Sequence, residues 1–231
     1  MLAFSSLLGN VEGQNIYRIW YDKPASYWEE ALPVGNGRIA AMVFGDPQLE
    51  QIQLNEETVS AGSPYQNYNE EAKTALPEMR RLIFEGKYEE AQNMATTKIL
   101  SQVGNEMPYQ TVGRLNIRYQ DHKKVNNYYR DLDISNAVAV TRYKVDGVEF
   151  TEETFASFTD QLVIRHIKAS KPGTINCELF FNTPMRDPKR SIYGKKGLRL
   201  EGITYGSRYF PGKVHYCADL DVKHKGGKVI T

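Results

Sequence analysis

Cysteine is scarce in this chain: Cys177 and Cys217 are the two in 231 residues. That excludes a disulfide-dense scaffold, and the absence of C-x-x-C removes the usual thiolate pair for zinc or redox work. The two thiols could pair, and their spacing does not decide it. Cys177 alternates in phase with Ile175, Leu179 and Phe181, which reads as a core thiol behaving as a small hydrophobe. Histidine is also sparse. His122, His166, His215 and His224 form no i, i+4 pair, and no D-x-D-x-D-G loop occurs, so neither a metal nor any other cofactor is expected. An excess of one charge is missing: 29 basic residues face 28 acidic ones. With no basic run interleaved with aromatics, nucleic acid is not an expected partner. No apolar run reaches the roughly 18 residues that cross a bilayer, so no membrane span is expected. A basic n-region is missing from the N-terminal MLAFSSLLGNVEGQ. Its apolar stretch and small-residue end otherwise resemble a secretory signal. Residues 1–15 therefore read as a signal-peptide remnant or a disordered tail, and export to a periplasmic or extracellular site is the expectation.

What is present is a soluble globular composition, 41% hydrophobic and 25% charged, able to bury a core. The stretch ALPVGNGRIAAMVFG, residues 31–45, has the look of a nucleotide loop. Gly35, Gly37 and Ala40 fit G-x-G-x-x-G/A, and Glu56 and Glu57 follow about 20 residues on. Context argues against it. The fingerprint needs a strand before the glycines and a helix after them. Here Pro33 precedes Gly35 and IAAMVF reads as a strand, so no helix N-terminus is available to hold a pyrophosphate. No Walker loop and no G-x-S-x-G elbow occur, and Ser63 sits in a Gly62-Ser63-Pro64 turn. Sugar hydrolysis needs two carboxyls facing one bond. The adjacent pairs Glu29–Glu30 and Glu56–Glu57 would point to opposite faces of a strand, so neither makes an acid–base couple. Fifteen Tyr, nine Phe and two Trp could face sugar rings or fill an ordinary β core.

The periodicity is mainly β. Residues 16–20 make a short strand. Residues 39–44 are continuously apolar, as a strand buried on both faces would be. An Asp46-Pro47 turn leads to a partner strand over 49–54. Residues 69–100 change period. Asn69 is the expected N-cap, Leu76, Met79, Leu82 and Ile83 follow at helical spacing, Gly86 interrupts, and Tyr88, Ala91, Met94 and Ala95 resume. From Gly113 onward strands return, with Leu115, Ile117 and Tyr119 alternating. In RYKVDGVEF, Asp146-Gly147 supplies the positive φ angles of a two-residue hairpin. Strands over 161–167, 174–181, 198–203 and 214–222 complete the pattern. The expected fold is mainly β: a large antiparallel sandwich, or super-sandwich, over 16–231 with a helical hairpin inserted at about 69–100. A Gly226-Gly227 turn near the end suggests a sandwich that stops before its last strands.

The ordered series WYDKPASYWEEALPVGNGRIAAMVFGDPQLEQIQLNEETVSAGSPYQNYN, RRLIFEGKYEEAQNMA, MPYQTVGRLNIRY and YYRDLDISNAVAVTRYKVDGVEFTEETFASFTDQLVIRHIKASKPG resembles the N-terminal part of glycoside hydrolase family 95, the α-L-fucosidase family. FPGKVHYCADLDVKHKGG fits it more loosely. The resemblance runs from about residue 16 to the end. It implies a β-sandwich followed, in the whole enzyme, by a helical linker, a catalytic barrel of α/α hairpins and a smaller β domain. It implies inverting hydrolysis of terminal α-L-fucosides, with a glutamic acid protonating the leaving oxygen and asparagines, oriented by an aspartate, activating water. Those residues belong to the barrel and match no position here, so this chain alone is expected to be inactive. The implied partners are the C-terminal barrel of the same polypeptide and, through the whole enzyme, fucosylated glycans. Asn36, Arg38, Asn55 and Glu56, in the two most family-like loops, are the candidate substrate-binding or barrel-interface residues. One departure stands at Ser60, where the family usually carries Trp after NEETV. The alternatives are a free-standing carbohydrate-binding module and a structural docking domain.

Overall fold

The computed structural model describes residues 17–62, 68–101, 108–206 and 211–231. The proposed signal remnant and Ser63 lie outside them. The described chain divides into two compact units, 17–56 with 113–182 and 223–230, and 57–112 with 183–222.

The first unit is a sandwich of two antiparallel sheets. Its strands are β1 (Arg18–Tyr21), β2 (Leu32–Gly35), β3 (Ile39–Val43), β4 (Leu49–Glu56), β5 (Gly113–Tyr119), β6 (Val125–Asp133), β7 (Val138–Val145), β8 (Val148–Ser157), β9 (Leu162–Ala169) and β10 (Cys177–Asn182). One sheet runs β1-β6-β7-β8-β9 and the other β10-β5-β4-β3-β2. The inner faces follow from alternation. Ile52, Leu115, Ile117, Ala41 and Val43 are buried from one sheet, and Leu132, Tyr143, Val145 and Phe150 from the other. The β7–β8 hairpin forms as expected: Val145 pairs with Val148, and Asp146 and Gly147 take φ of 47° and 80°. Asp46 Oδ1 accepts the amides of Gln48 and Leu49 at 2.8 and 3.1 Å, which closes the β3–β4 turn.

Several expectations need correction. β3 is not buried on both faces: Ala41 and Val43 are buried, but Ile39, Ala40 and Met42 are half-exposed. Cys177 is half-buried rather than core, because β10 is an edge strand. Both cysteines are free thiols. Glu29 and Glu30 lie on a short 3-10 turn, Trp28–Glu30, rather than a strand. Two strands here lacked an apolar signal. β2 carries Pro33, tolerated because β2 is a sheet edge. β6 reads as polar because Asp131 and Asp133 on its outer face and Arg130 on its inner face are charged, each held by partners from other segments.

In the second unit, β11 (Arg186–Tyr193), β12 (Gly197–Ile203) and β13 (His215–Asp221) form an antiparallel sheet in that order. β11, fully exposed, also gave no signal; a register shift between Arg186 and Lys189 accommodates Pro188 on this edge. The helical hairpin is present as α1 (Ala72–Phe84) and α2 (Tyr88–Met94), with a π-helical turn over Ala95–Ile99. Gly86, at φ 75°, separates the helices. The regular helix begins at Ala72 behind Glu71, which is already helical and makes no side-chain cap bond. Asn69 caps this first turn as expected: its Oδ1 accepts the Glu71 amide at 3.0 Å and its carbonyl accepts the Ala72 amide at 3.0 Å. Its Nδ2 also donates to the carbonyls of Thr97 and Leu100 at 3.3 and 3.4 Å. It ties the start of the hairpin to its end.

Candidate functional site

Three of the four candidate residues meet at one end of the β2-β3-β4 edge. The turn between β2 and β3 is built by Asn36. Its Oδ1 accepts the amides of Arg38 and Ile39 at 3.1 and 3.0 Å, the local bonding that favours Asn in turns. Gly37, at φ 92°, completes the reversal. The Asn36 Nδ2 donates across to the Ser157 carbonyl at 2.8 Å, which fastens the turn to the end of β8. Arg38 Nε then donates to Glu56 Oε1 at 3.2 Å. The pair is open to water, with side chains 60% and 20% exposed. Asn55 pairs with Ala40 in the β3–β4 register. As the neighbour of Glu56 on one strand it faces the other side of the sheet, so it does not join the cluster. Glu30 holds its own loop: its carboxylate accepts the Ser26 amide at 2.8 Å. That bond, before any other favourable contact, holds its pKa below the ordinary carboxylate value.

A second cluster lies between the sheets. Glu50 on β4 and Glu152 on β8 are 0% and 1% exposed. Both accept from Nη2 of Arg165 on β9, Glu50 at 2.7 Å and Glu152 in a short contact. Glu50 Oε1 also accepts the amides of Phe44 and Gly45 at 3.1 and 2.8 Å. Tyr119 donates to Glu152 Oε1 at 2.7 Å, and Tyr143 donates to the same oxygen. Arg165 Nη1 reaches Thr154 Oγ1 at 2.6 Å. His122 bonds the Pro47 carbonyl through Nδ1 at 2.9 Å, and its ring stacks on Tyr119 with centroids 4.3 Å apart.

Burial dominates the electrostatics of this cluster. It pushes Glu50 up to about 7; Arg165 pulls the other way and Glu152 adds to the rise. Burial and then Glu152 push both Tyr119 and Tyr143 up. Burial pulls His122 down. The two carboxyls are apposed, but they are closed to solvent and share one guanidinium. Such a cluster can hold a proton and fix strand register; it cannot take a sugar between its acids. Glu50 went unread as a core residue although it lies in phase with Ile52 on β4, and that phase was the available signal. Among the described residues no group of His, Cys, Asp and Glu could hold a metal ion.

Residues 19–231 match the family model of the glycosyl hydrolase family 65 N-terminal domain. The chain belongs to this family. Alpha-L-fucosidase 2 of Arabidopsis thaliana is 37% identical over 181 residues, which cover 76% of this chain and 21% of that protein. Probable alpha-fucosidase A of Aspergillus niger is 28% identical over 204 residues, covering 81% and 24%. Its Aspergillus oryzae counterpart is 24% identical over 174 residues, covering 71% and 23%. With these relatives the motif resemblance is borne out: this is an N-terminal domain of the α-L-fucosidase family. The alignments span less than a quarter of each relative's length. Among its described residues this fucosidase-family domain carries an exposed pair, Arg38 of the β2–β3 turn with Glu56 at the end of β4 rather than in a loop, and a sealed ion cluster in its core. No helix of its described residues is long and apolar enough to cross a membrane.

Proposed function

We propose that this domain is the non-catalytic N-terminal sandwich of an exported α-L-fucosidase of the family 95 type. It supports the catalytic part of a longer polypeptide that removes terminal α-L-fucose from glycans. The observation that carries the reading is the placement of its carboxyls. Glu50 and Glu152 are apposed but buried and engaged by Arg165, and Asp131 and Asp133 are likewise buried and engaged by Arg18. An inverting glycosidase needs its acid and its water-activating group on opposite sides of an open site that admits water, a spacing of roughly 6.5–9.5 Å where both are carboxyls. In this reading the Asn36–Arg38–Glu56 end of the sandwich meets the catalytic part and shapes its substrate entrance.

The test uses the longer protein and this chain side by side, with an aryl α-L-fucoside as substrate. The longer protein is expected to release fucose and the 231-residue chain to release none. In the longer protein, Arg38→Ala with Glu56→Ala is expected to lower kcat/KM or the melting temperature of the catalytic part. Turnover by the chain alone would remove the non-catalytic assignment. Unchanged kinetics and melting would remove the contact assigned to Arg38 and Glu56.

A further inference from the structure

The outer face of the first sheet, at the β1–β6 edge, carries side chains that neither the core nor the Arg38–Glu56 pair uses. Tyr21 of β1 faces inward, and the Arg130 guanidinium lies 4.2 Å from its ring centre. By alternation Arg18 and Trp20 face outward. On β6 a register shift between Asn126 and Tyr129, with Asn127 at φ 52°, re-aims two tyrosines. Tyr128 turns inward and donates to the Gly45 carbonyl at 2.6 Å. Tyr129 turns outward beside Trp20. The two rings lie nearly parallel, 20° between planes and 6.1 Å between centroids. Trp20 is 61% exposed.

A charged rim borders the rings. Arg18 contacts Asp131 at 3.1 Å and Asp133 at 3.2 Å. Arg142 Nη1 donates to Asp131 Oδ1 at 3.1 Å. Asp133 is itself held by the amides of Ser135 and Asn136, at 3.0 and 3.2 Å. The rim's two arginines and two aspartates cancel. Each arginine already faces a carboxylate at 3.1–3.2 Å, so the rim adds little charge attraction for an anion and none for a cation. An uncharged ligand can hydrogen-bond the arginine side chains, which are 31% and 46% exposed over the buried Asp131. Aligned aromatic faces suit the C–H face of a sugar ring, and rings locked beside ion pairs lose little freedom on binding.

We propose that the Trp20–Tyr129 ledge binds an uncharged glycan, with one pyranose C–H face on the rings and its hydroxyls toward Arg18 and Arg142. Hydrolysis of fucosides by the longer protein is not required for this.

Trp20 and Trp28 are the chain's two tryptophans, so Trp28→Phe leaves Trp20 as sole indole reporter. Titration of that variant with 2′-fucosyllactose is expected to give a saturable fluorescence shift, with Kd of about 1–10 mM, a free energy near −3 to −4 kcal/mol. The anionic 3′-sialyllactose is expected to bind at least fivefold more weakly. Ligand-observed NMR with Trp20→Leu and with Tyr129→Ala is expected to show at least fivefold loss for each, while Phe158→Ala, at another exposed aromatic, binds as the parent does. Two ledge variants guard against one failing to fold. No saturable shift, equal or tighter binding of sialyllactose, or retained binding in a folded ledge variant would overturn the proposal. So would a self-association that Trp20→Leu abolishes, which would assign the ledge to a second copy of the chain. Fucose release by the longer protein without ledge binding would overturn this proposal and leave the fucosidase reading standing.

Discussion

Replacing Glu50 by Gln should flatten a pH dependence that the buried cluster builds into the sandwich. With Glu50 and Glu152 both ionised, one guanidinium faces two carboxylates in a buried site. A proton on Glu50 removes the excess charge. Burial accordingly lifts its pKa from 4.5 to about 7. A carboxyl raised on folding stabilises fully below its unfolded value, and that contribution is lost as pH rises through the folded value. The window is therefore pH 4.5 to 7, with stability falling as pH rises. At about 1.4 kcal/mol per pH unit separating the two values, the loss approaches about 3 kcal/mol. His122, lowered by burial, works in the opposite direction: its contribution is lost as pH falls through its ordinary value. Comparing parent with variant at each pH cancels it. Urea unfolding of the parent and Glu50→Gln at pH 5 and pH 8 is the assay. The difference in unfolding free energy is expected to move by about 2–3 kcal/mol in the variant's favour between those pH values. A difference constant to within about 0.5 kcal/mol, on the scale of a neutral substitution, would refute the reasoning. So would a pH dependence that Glu152→Gln abolishes and Glu50→Gln leaves intact.

The remaining expectations test the packing around this cluster and the surface. A Cβ on Gly45, which sits at φ 76°, would lie 2.7 Å from the Tyr128 hydroxyl and 2.9 Å from Arg130 Cδ. Gly45→Ala should cost about 2–4 kcal/mol in urea unfolding, from overpacking together with the positive φ. Gly147→Ala, at φ 80° with open space, carries the backbone term alone and should cost about 1 kcal/mol. Equal costs would mean that the Gly45 contacts do not matter. Cys217 is exposed and Cys177 half-buried, and burial raises both thiols. Ellman's reagent should therefore label one thiol per chain fast, absent in Cys217→Ser, and one slowly. In the isolated chain Arg38→Ala should change stability by less than about 1 kcal/mol, as exposed ion pairs do. A larger loss would make the Arg38–Glu56 pair a fold element rather than a contact surface.

The legible parts of this chain are those in which one strand or helix carries its own signal. Asp146-Gly147 declared its hairpin because two positive φ angles need those residue types. Leu115, Ile117 and Tyr119 declared β5 by alternation, and Gly86 divided the helices. Asn36-Gly37 was legible as a turn by local chemistry, but the Arg38–Glu56 pair was not, because β4 runs to Glu56, two residues beyond the strand expected over 49–54. β6 was missed because its outward Asp131 and Asp133 are satisfied by Arg18 and Arg142 from other strands. β11 was missed because neither face is covered. Asn69 was legible as a helix cap, but its second bond, to the carbonyls of Thr97 and Leu100 about 30 residues on, was not. The Glu50–Arg165 contact is 115 residues apart in sequence and crosses between sheets, so no local pattern announces it.

The buried triad bears on how a sandwich of this kind keeps one register. Ion pairs in a core are weak stabilisers, because desolvation offsets most of their attraction, and well-packed apolar replacements are often neutral or better. What the triad supplies is discrimination. Glu50 lies in phase with buried Ile52 on β4, and slipping that strand by one residue would turn Gln51 inward and leave Arg165 and Glu152 without their third member. The slipped state would then hold buried charge without its partners, a cost of about 3–5 kcal/mol. Two variants separate stability from discrimination. Arg165→Met alone should destabilise by about 3–5 kcal/mol, since it leaves two buried carboxyls facing each other. Glu50→Leu, Glu152→Leu and Arg165→Met together should recover most of that loss in urea unfolding. If discrimination is the triad's role, amide NMR spectra of the triple variant should show doubled or broadened peaks confined to β4, β8 and β9. A triple variant as unstable as Arg165→Met would show that the charges themselves hold the sheets together. Single sharp peaks throughout would show that apolar packing alone sets the register.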